Sequence, residues 1–178
     1  QGRRCVVSLP KVWTPSNSAC WWSQDRRYRF SLVRWLPVDS SLTRVCIGLN
    51  PSTADETKDD RTVRRLIERA YDDNIEVFVM LNLFGWRATD PREMMRVSYP
   101  IGARDNNEAI ATRCKSANEI VLCWGNHGSH LGRSAQVLEM LRPYASKLYC
   151  FGVTKSGEPR HPVRMAKNTP LVKWEYPT

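Results

Sequence analysis

The sequence predicts an α/β fold, a three-layer α/β/α sandwich. At its centre is a mainly parallel sheet of about four strands, with an N-terminal antiparallel hairpin strand added. Apolar runs at Thr43–Leu49, Glu76–Leu81, Glu119–Trp124 and Lys147–Val153 each stop abruptly at polar or turn-forming residues. Helical patterns of about ten to fifteen residues lie between these runs, the signature of right-handed βαβ crossovers. With 178 residues, 42% hydrophobic and 25% charged, the chain has the size and usage of one globular domain spanning residues 1–178.

Residues 1–27 show no clean periodicity and are punctuated by Pro10, Pro15, Ser16, Asn17 and Ser18. They read as an irregular N-terminal extension in which Trp13, Trp21 and Trp22 cap an edge of the core. The alternation YRFSLVRWL from Tyr28 to Leu36 predicts a half-exposed strand. Pro37–Ser41 turns the chain into the strand Thr43–Leu49, so these two strands are expected to pair as a hairpin. Asp59 or Asp60 caps a helix running to about Asp73, with Val63, Leu66, Ile67 and Ala70 on one face.

Strand Glu76–Leu81 follows, and a long polar connection runs from Asn82 to about Ala103, a length usually reserved for functional loops. Asp105–Cys114 is a helix and Glu119–Trp124 a strand. Gly132–Leu141 is a helix with Ala135, Leu138 and Leu141 facing inward. Lys147–Val153 is the last parallel strand, Thr154–Asn168 a basic loop, and Leu171–Trp174 a short closing strand.

Charge and cysteine content narrow the function. The formal net charge of +9 favours a polyanionic partner, nucleic acid ahead of an anionic membrane. No apolar run approaches the roughly 20 residues that span a bilayer, so no membrane partner is expected. The N-terminal stretch lacks an apolar segment followed by a cleavage site, so no secretory signal is expected. The six cysteines, Cys5, Cys20, Cys46, Cys114, Cys123 and Cys150, include no C-x-x-C pair and read as buried, reduced thiols of a cytoplasmic protein. Neither clustered thiolates nor His/Cys pairs occur, and His127 and His130 lack a nearby third ligand. No metal and no other cofactor are expected.

Open α/β sheets place ligands beyond the carboxyl ends of their strands. Asn50 ends one strand, and Pro51 holds it extended. Its amide can orient a water or a sugar oxygen, or simply close an Asx-turn. Ser52 and Thr53 can hold a phosphate or serve as turn residues. Asn82 ends the next strand with a donor and an acceptor side by side, the geometry that reads a base edge. His161 sits between Arg160 and Pro162 in the basic loop, where a surface role competes with a site role. The loop from Thr154 to Arg160 has the Lys, Ser and Gly content of a phosphate-gripping segment without P-loop spacing. Gly125–His130 precedes a helix and offers Asn126 to a backbone phosphate.

The ordered segments GLNPS (48–52), VMLN (79–82), VLCWG (121–125) and RHP (160–162) resemble the uracil-DNA glycosylase superfamily from the hairpin to the C-terminus. The chain is also similar to a family of small bacterial and phage proteins labelled as a domain of unknown function. That family carries L-N-P-S-T-A-D, N-L-F-x-x-R-A-T-D-P, W-G-N-H-G and T-K-x-G-x-P-R-H-P.

The resemblance implies a monofunctional DNA glycosylase that flips a nucleotide into its pocket and leaves an abasic site. Asn50 would position water at the sugar C1′, Asn82 would read the base, and His161 would hydrogen-bond the base oxygen that gains charge. Ser52, Thr53, Asn126, Lys155, Arg160 and Arg164 would hold flanking phosphates, and Val163 or Met165 would wedge the stack. Asn50 stands where the most active uracil enzymes carry Asp, so a carboxylate from Asp55, Asp59 or Asp60 would serve instead, Asp60 being the candidate taken as catalytic. Phe84, Trp86 and Trp124 would shape a pocket for a base other than uracil, such as the hydroxymethylated or glucosylated cytosine of phage DNA, in an anti-phage role. The expected partner is DNA and the expected state a monomer. A non-catalytic reader of modified bases and a free-nucleotide hydrolase are the alternatives.

Overall fold

The computed structural model describes residues 8–176, apart from the side chains of Ala103 and Arg164. In chain order its strands are β1 Ser18–Trp22, β2 Arg29–Trp35, β3 Thr43–Gly48, β4 Val77–Asn82, β5 Glu119–Leu122, β6 Leu148–Cys150 and β7 Val172–Lys173. The α-helices are α1 Arg61–Asp72, α2 Pro91–Arg96, α3 Ala103–Ser116 and α4 Arg133–Leu141. All seven strands form one mixed sheet in the order β1-β2-β4-β3-β5-β6-β7. The pairings β4-β3, β3-β5 and β5-β6 are parallel, while β1-β2, β2-β4 and β6-β7 are antiparallel. The sheet is therefore larger and less parallel than the sequence reading.

β3 lies in the middle because Arg44–Gly48 is buried throughout, leaving a strand that satisfies its backbone only between two neighbours. Alternate residues feed two cores. Val45, Ile47, Val79, Leu81, Ile120 and Leu122 face one side, where Ala109, Ile110 and Cys114 of α3 and Val137 and Leu141 of α4 cover them. Cys46, Phe78, Met80 and Val121 face the other side, under Val63, Leu66, Ile67 and Ala70 of α1. Those α1 residues recur at i, i+3, i+4 and i+7, and Asp60 caps the helix by accepting the Val63 N–H at 2.9 Å.

The expected hairpin between Tyr28–Leu36 and Thr43–Leu49 does not form. β2 pairs with β1 and β4, with Leu32 opposite Met80, and β4 lies between β2 and β3. Nor is β2 half-exposed, since Arg29 through Arg34 are all buried. The residue that looked outward by alternation, Arg34, is instead enclosed by the loop after β3. Its guanidinium donates to Asp59 at 2.9 and 3.1 Å, to Ser18 Oγ at 2.5 Å and to the carbonyl of Asp55 at 2.6 Å. Residues 8–27 are also more ordered than expected. They include β1, and Trp13 is 1% exposed with its indole N–H on Asp59 at 2.7 Å.

Smaller departures have local causes. The polar connection after β4 contains α2, which Asp90 caps and Pro91 starts. α4 buries Arg133, Ser134, Val137 and Leu141, whereas Ala135 is exposed. Cys46, Cys114, Cys123 and Cys150 are buried and Cys20 is half-buried, all with free thiols; Cys5 lies outside the described residues. Among the described residues no helix is long and apolar enough to cross a membrane, and no group of three or more His, Cys, Asp or Glu could hold a metal ion.

Asp59→Ala leaves the Arg34 charge enclosed without its carboxylate, so unfolding in urea should show a loss of about 3–5 kcal/mol. Burial pushes the Cys46 and Cys114 thiols up to about 12 and Cys20 up to about 11. Their thiolates are therefore scarce at pH 8. Iodoacetamide should label the native protein far more slowly than the urea-unfolded chain, with Cys20 modified first of these three.

Candidate active cleft at the strand ends

A cleft of about 1080 Å³ opens where β3, β4 and β5 end. Asn50, Asn82 and His161, far apart in sequence, all line it, together with Asp60 and Trp124. The parallel register produces this meeting: Gly48 pairs with Asn82 across β3-β4, and Ile47 with Leu122 across β3-β5. The residues following those pairs consequently emerge at one rim.

Asn82 is fixed through both its side chain and its backbone. Its Oδ1 accepts from Arg29 Nη2 at 3.1 Å, and its carbonyl accepts from Asn106 Nδ2 at 3.1 Å. The next carbonyl, Leu83, is held by Asn106 at 3.0 Å and by Arg133 Nε at 2.9 Å. Gly48 makes room alongside: a Cβ there would lie 2.6 Å from Met80 Cε and 3.0 Å from Asn82 Nδ2. Asn50 donates through Nδ2 to the carbonyls of Ala88 at 2.7 Å and Pro51 at 3.1 Å. With its nitrogen so used, its oxygen is the end that can accept from a water or ligand.

The three nearby carboxylates separate cleanly. Asp55 folds back on its own turn, accepting from the N–H groups of Thr57 at 2.9 Å and Lys58 at 3.1 Å. Asp59 belongs to the Arg34 ion pair. Asp60 alone of the three lines the cleft. His161 caps a short 3-10 turn, Pro162–Arg164, with Nδ1 accepting the Val163 N–H at 3.4 Å. In the neutral ring that assigns the proton to Nε2.

The loop carrying His161 is tied to the end of β5. The Gly125 N–H donates to the Pro159 carbonyl at 2.8 Å. Glu158 takes the Trp124 indole N–H at 2.5 Å and Ser134 Oγ at 2.9 Å. Trp124 itself is 1% exposed. Gly128 is required beneath it, since a Cβ there would sit 2.2 Å from the indole Cδ1.

Other residues singled out from sequence fall into three groups. Ser52, Thr53, Asn126 and Arg160 line the cleft. So do Val163 and Met165, half-buried in one wall, where Arg65 of α1 donates to both of their carbonyls. Phe84, Trp86 and Lys155 depart from expectation. Phe84 is fully buried in the core beneath α3 and α4, 5.7 Å from the His130 ring. Trp86 meets Tyr28 edge-on at 5.2 Å. Lys155 is exposed and outside the cleft lining. The Arg164 side chain lies outside the described residues.

Sequence reading missed Arg29 and Arg61, which also line the cleft, as does His127, weighed there only as a metal ligand and within the Gly125–His130 segment. Arg61 carried a usable signal, lying next to Asp60, which was already singled out. Arg29 did not, because it occupies a strand position that alternation cannot assign. With Arg160 these arginines give the lining three guanidinium groups against the single carboxylate of Asp60.

A family model described as "Protein of unknown function (DUF1643)" matches residues 29–163. No curated protein and no solved structure matches the chain.

Glu158→Ala removes the acceptor shared by Trp124 and Ser134. It should cost about 1–3 kcal/mol in urea unfolding and speed proteolytic nicking within residues 154–160.

Proposed function

This chain belongs to the DUF1643 family, and we propose that it is a monofunctional DNA glycosylase. It would hydrolyse the N-glycosidic bond of a flipped-out modified base and leave an abasic site. The proposed bases are the hydroxymethylated or glucosylated cytosine of phage DNA, or uracil. The observation that carries the reading is the meeting of Asn50, Asn82, His161 and Asp60 around one arginine-lined cleft. Helices on both faces of the sheet support the three-layer sandwich of the glycosylase reading. A volume near 1080 Å³ leaves room for an enlarged base as well as a plain one.

In this mechanism Asn50 Oδ1 accepts a hydrogen bond from the attacking water and aims its oxygen at C1′. As the C1′–N bond breaks, its electron pair leaves with the base, and the His161 N–H donates to the base oxygen that gains charge. A donor so placed contributes on the order of 3 kcal/mol. Water forms the new C1′–O bond and gives its proton to Asp60, and the departing base is protonated from solvent. Asn82 reads the base edge, while Arg61 and Arg160 hold flanking phosphates. The protein would act as a cytoplasmic monomer on DNA, in keeping with its free thiols.

A second reading, a non-catalytic reader of modified bases, has one observation in its favour. One Asp60 oxygen is already engaged by the Val63 N–H, so this carboxylate also serves as the cap of α1.

Duplexes carrying uracil, hydroxymethylcytosine or glucosylated hydroxymethylcytosine should break at the modified position on alkali treatment after incubation. Asn50→Ala and His161→Ala should each slow base release about 10²–10³-fold. Binding of every modified duplex without release from any would leave the reader. Affinity for DNA should fall steeply between 50 and 200 mM salt, as phosphate contacts require; a flat response would count against a DNA substrate.

A further inference from the structure

The least expected group in the cleft is Arg29. It is 1% exposed, and among the described residues no carboxylate hydrogen-bonds to it, Asp60 acting on it only through space. Its partners are two neutral oxygens, the Ala54 carbonyl at 3.0 Å and Asn82 Oδ1 at 3.1 Å, and its Nε–H has none among the described residues. Burying a guanidinium with so little compensation is costly. Burial pulls its pKa down, yet arginine remains charged at neutral pH.

A β-bulge brings Arg29 here. Trp21 pairs with Ser31, and the next residue of β1, Trp22, pairs with Arg29, so Phe30 is an extra residue in β2. After the bulge alternation is regular, with Leu32 facing the α1 core and Val33 the α3/α4 core. Regular alternation would send Phe30 to the α1 side and Arg29 away from the cleft. With the extra residue Phe30 joins Val33 in the α3/α4 core, and Arg29 turns to the cleft beside Asn82. Bulges re-aim side chains in this way near functional sites.

The consequence for Asn82 is chemical. An amide can present either end to a ligand, and rotation by a half-turn exchanges donor for acceptor. A guanidinium on Oδ1 forbids that exchange, because the flipped amide would set N–H against N–H. It also polarises the amide and strengthens Nδ2–H as a donor.

We infer that Arg29 is the positioning and specificity-determining residue of the cleft, locking Asn82 so that its N–H meets an acceptor on the bound base. The ligand atom there is a carbonyl oxygen or an unprotonated ring nitrogen, such as O4 of uracil or N3 of a modified cytosine, and a base that sets an amine at that position is rejected. The inference rests on the base-reading role proposed above for Asn82, and it assigns the effect of Arg29 on base choice to its hold on Asn82.

A double-mutant cycle tests it. Base release and, separately, affinity for duplexes with the same bases on uncleavable 2′-fluoro sugars are measured for wild type, Arg29→Gln, Asn82→Ala and the double variant. Arg29→Gln should lower the ratio between preferred and rejected bases about tenfold or more, yet add little in the Asn82→Ala background. Multiplicative losses in the double variant, or equal losses for every base, would overturn the inference. Thermal melting identifies a variant that fails to fold, in which case Arg29→Met takes its place. Methionine keeps much of the side-chain length without a donor for Asn82 Oδ1, so unchanged selectivity in Arg29→Met would likewise overturn the inference. If wild type binds modified duplexes selectively but releases no base, the glycosylase reading falls while the cycle in affinities still decides on Arg29. If it neither binds selectively nor releases, both fall.

Discussion

β4, β3, β5 and β6 run parallel and side by side, and their register pairs Gly48 with Asn82 and Ile47 with Leu122. Flush carboxyl ends force every following polar segment onto a single rim, whatever its distance along the chain. The apolar alternation that buries both faces of β3 also sets this register, because a one-residue slip would turn its core residues over. The cleft is thus a by-product of packing: two cores, one above and one below the sheet, fix where Asn50, Asn82 and Trp124 emerge. The loop bearing His161 is then drawn in by Glu158, which ties it to Trp124 and Ser134.

Much of the basic charge of this chain works inside the molecule. Arg29, Arg34 and Arg133 are at most 1% exposed. Arg65 and Arg69 of α1 donate to the carbonyls of Val163, Met165 and Thr169, and so hold one wall of the cleft against the helix. Carbonyl groups of irregular segments need donors when they leave the sheet, and a guanidinium supplies several in a fixed fork. The net charge of +9 therefore overstates the positive surface offered to a polyanion. What remains at the cleft, Arg61 and Arg160, is local and directed.

The parallel centre was legible because β3, β4 and β5 are continuous apolar runs with abrupt ends, and α1 because Val63, Leu66, Ile67 and Ala70 keep helical spacing behind Asp60. The same abrupt ends pointed to Asn50 and Asn82. Pairing order was not legible. Nearness in sequence favoured a β2-β3 hairpin, and only the full burial of β3 explains why β4 intervenes. Arginines misled in a second way: in an alternating strand they signal solvent, yet Arg34 is enclosed by the loop that carries Asp55 and Asp59. Phe84 and Trp86 were placed in the cleft by their closeness to Asn82, but the chain turns after β4 and sends Phe84 into the core. Asp60 was taken ahead of Asp55 and Asp59 with nothing in the sequence to separate them; the cleft lining and the hydrogen bonds of all three supply the physical ground.

The extra residue at Phe30 has a consequence for how such a chain can change over time. Adding one amino acid to β1 opposite that point would restore one-to-one pairing, and regular alternation would then turn Phe30 toward the cleft and bury the Arg29 charge in the α3/α4 core. A substitution at Tyr28, Phe30 or Trp21 changes a ring but leaves the count of residues, and so the facing of Arg29, as it is. Relative length of the two strands, more than the identity of any one side chain, decides which way the guanidinium points.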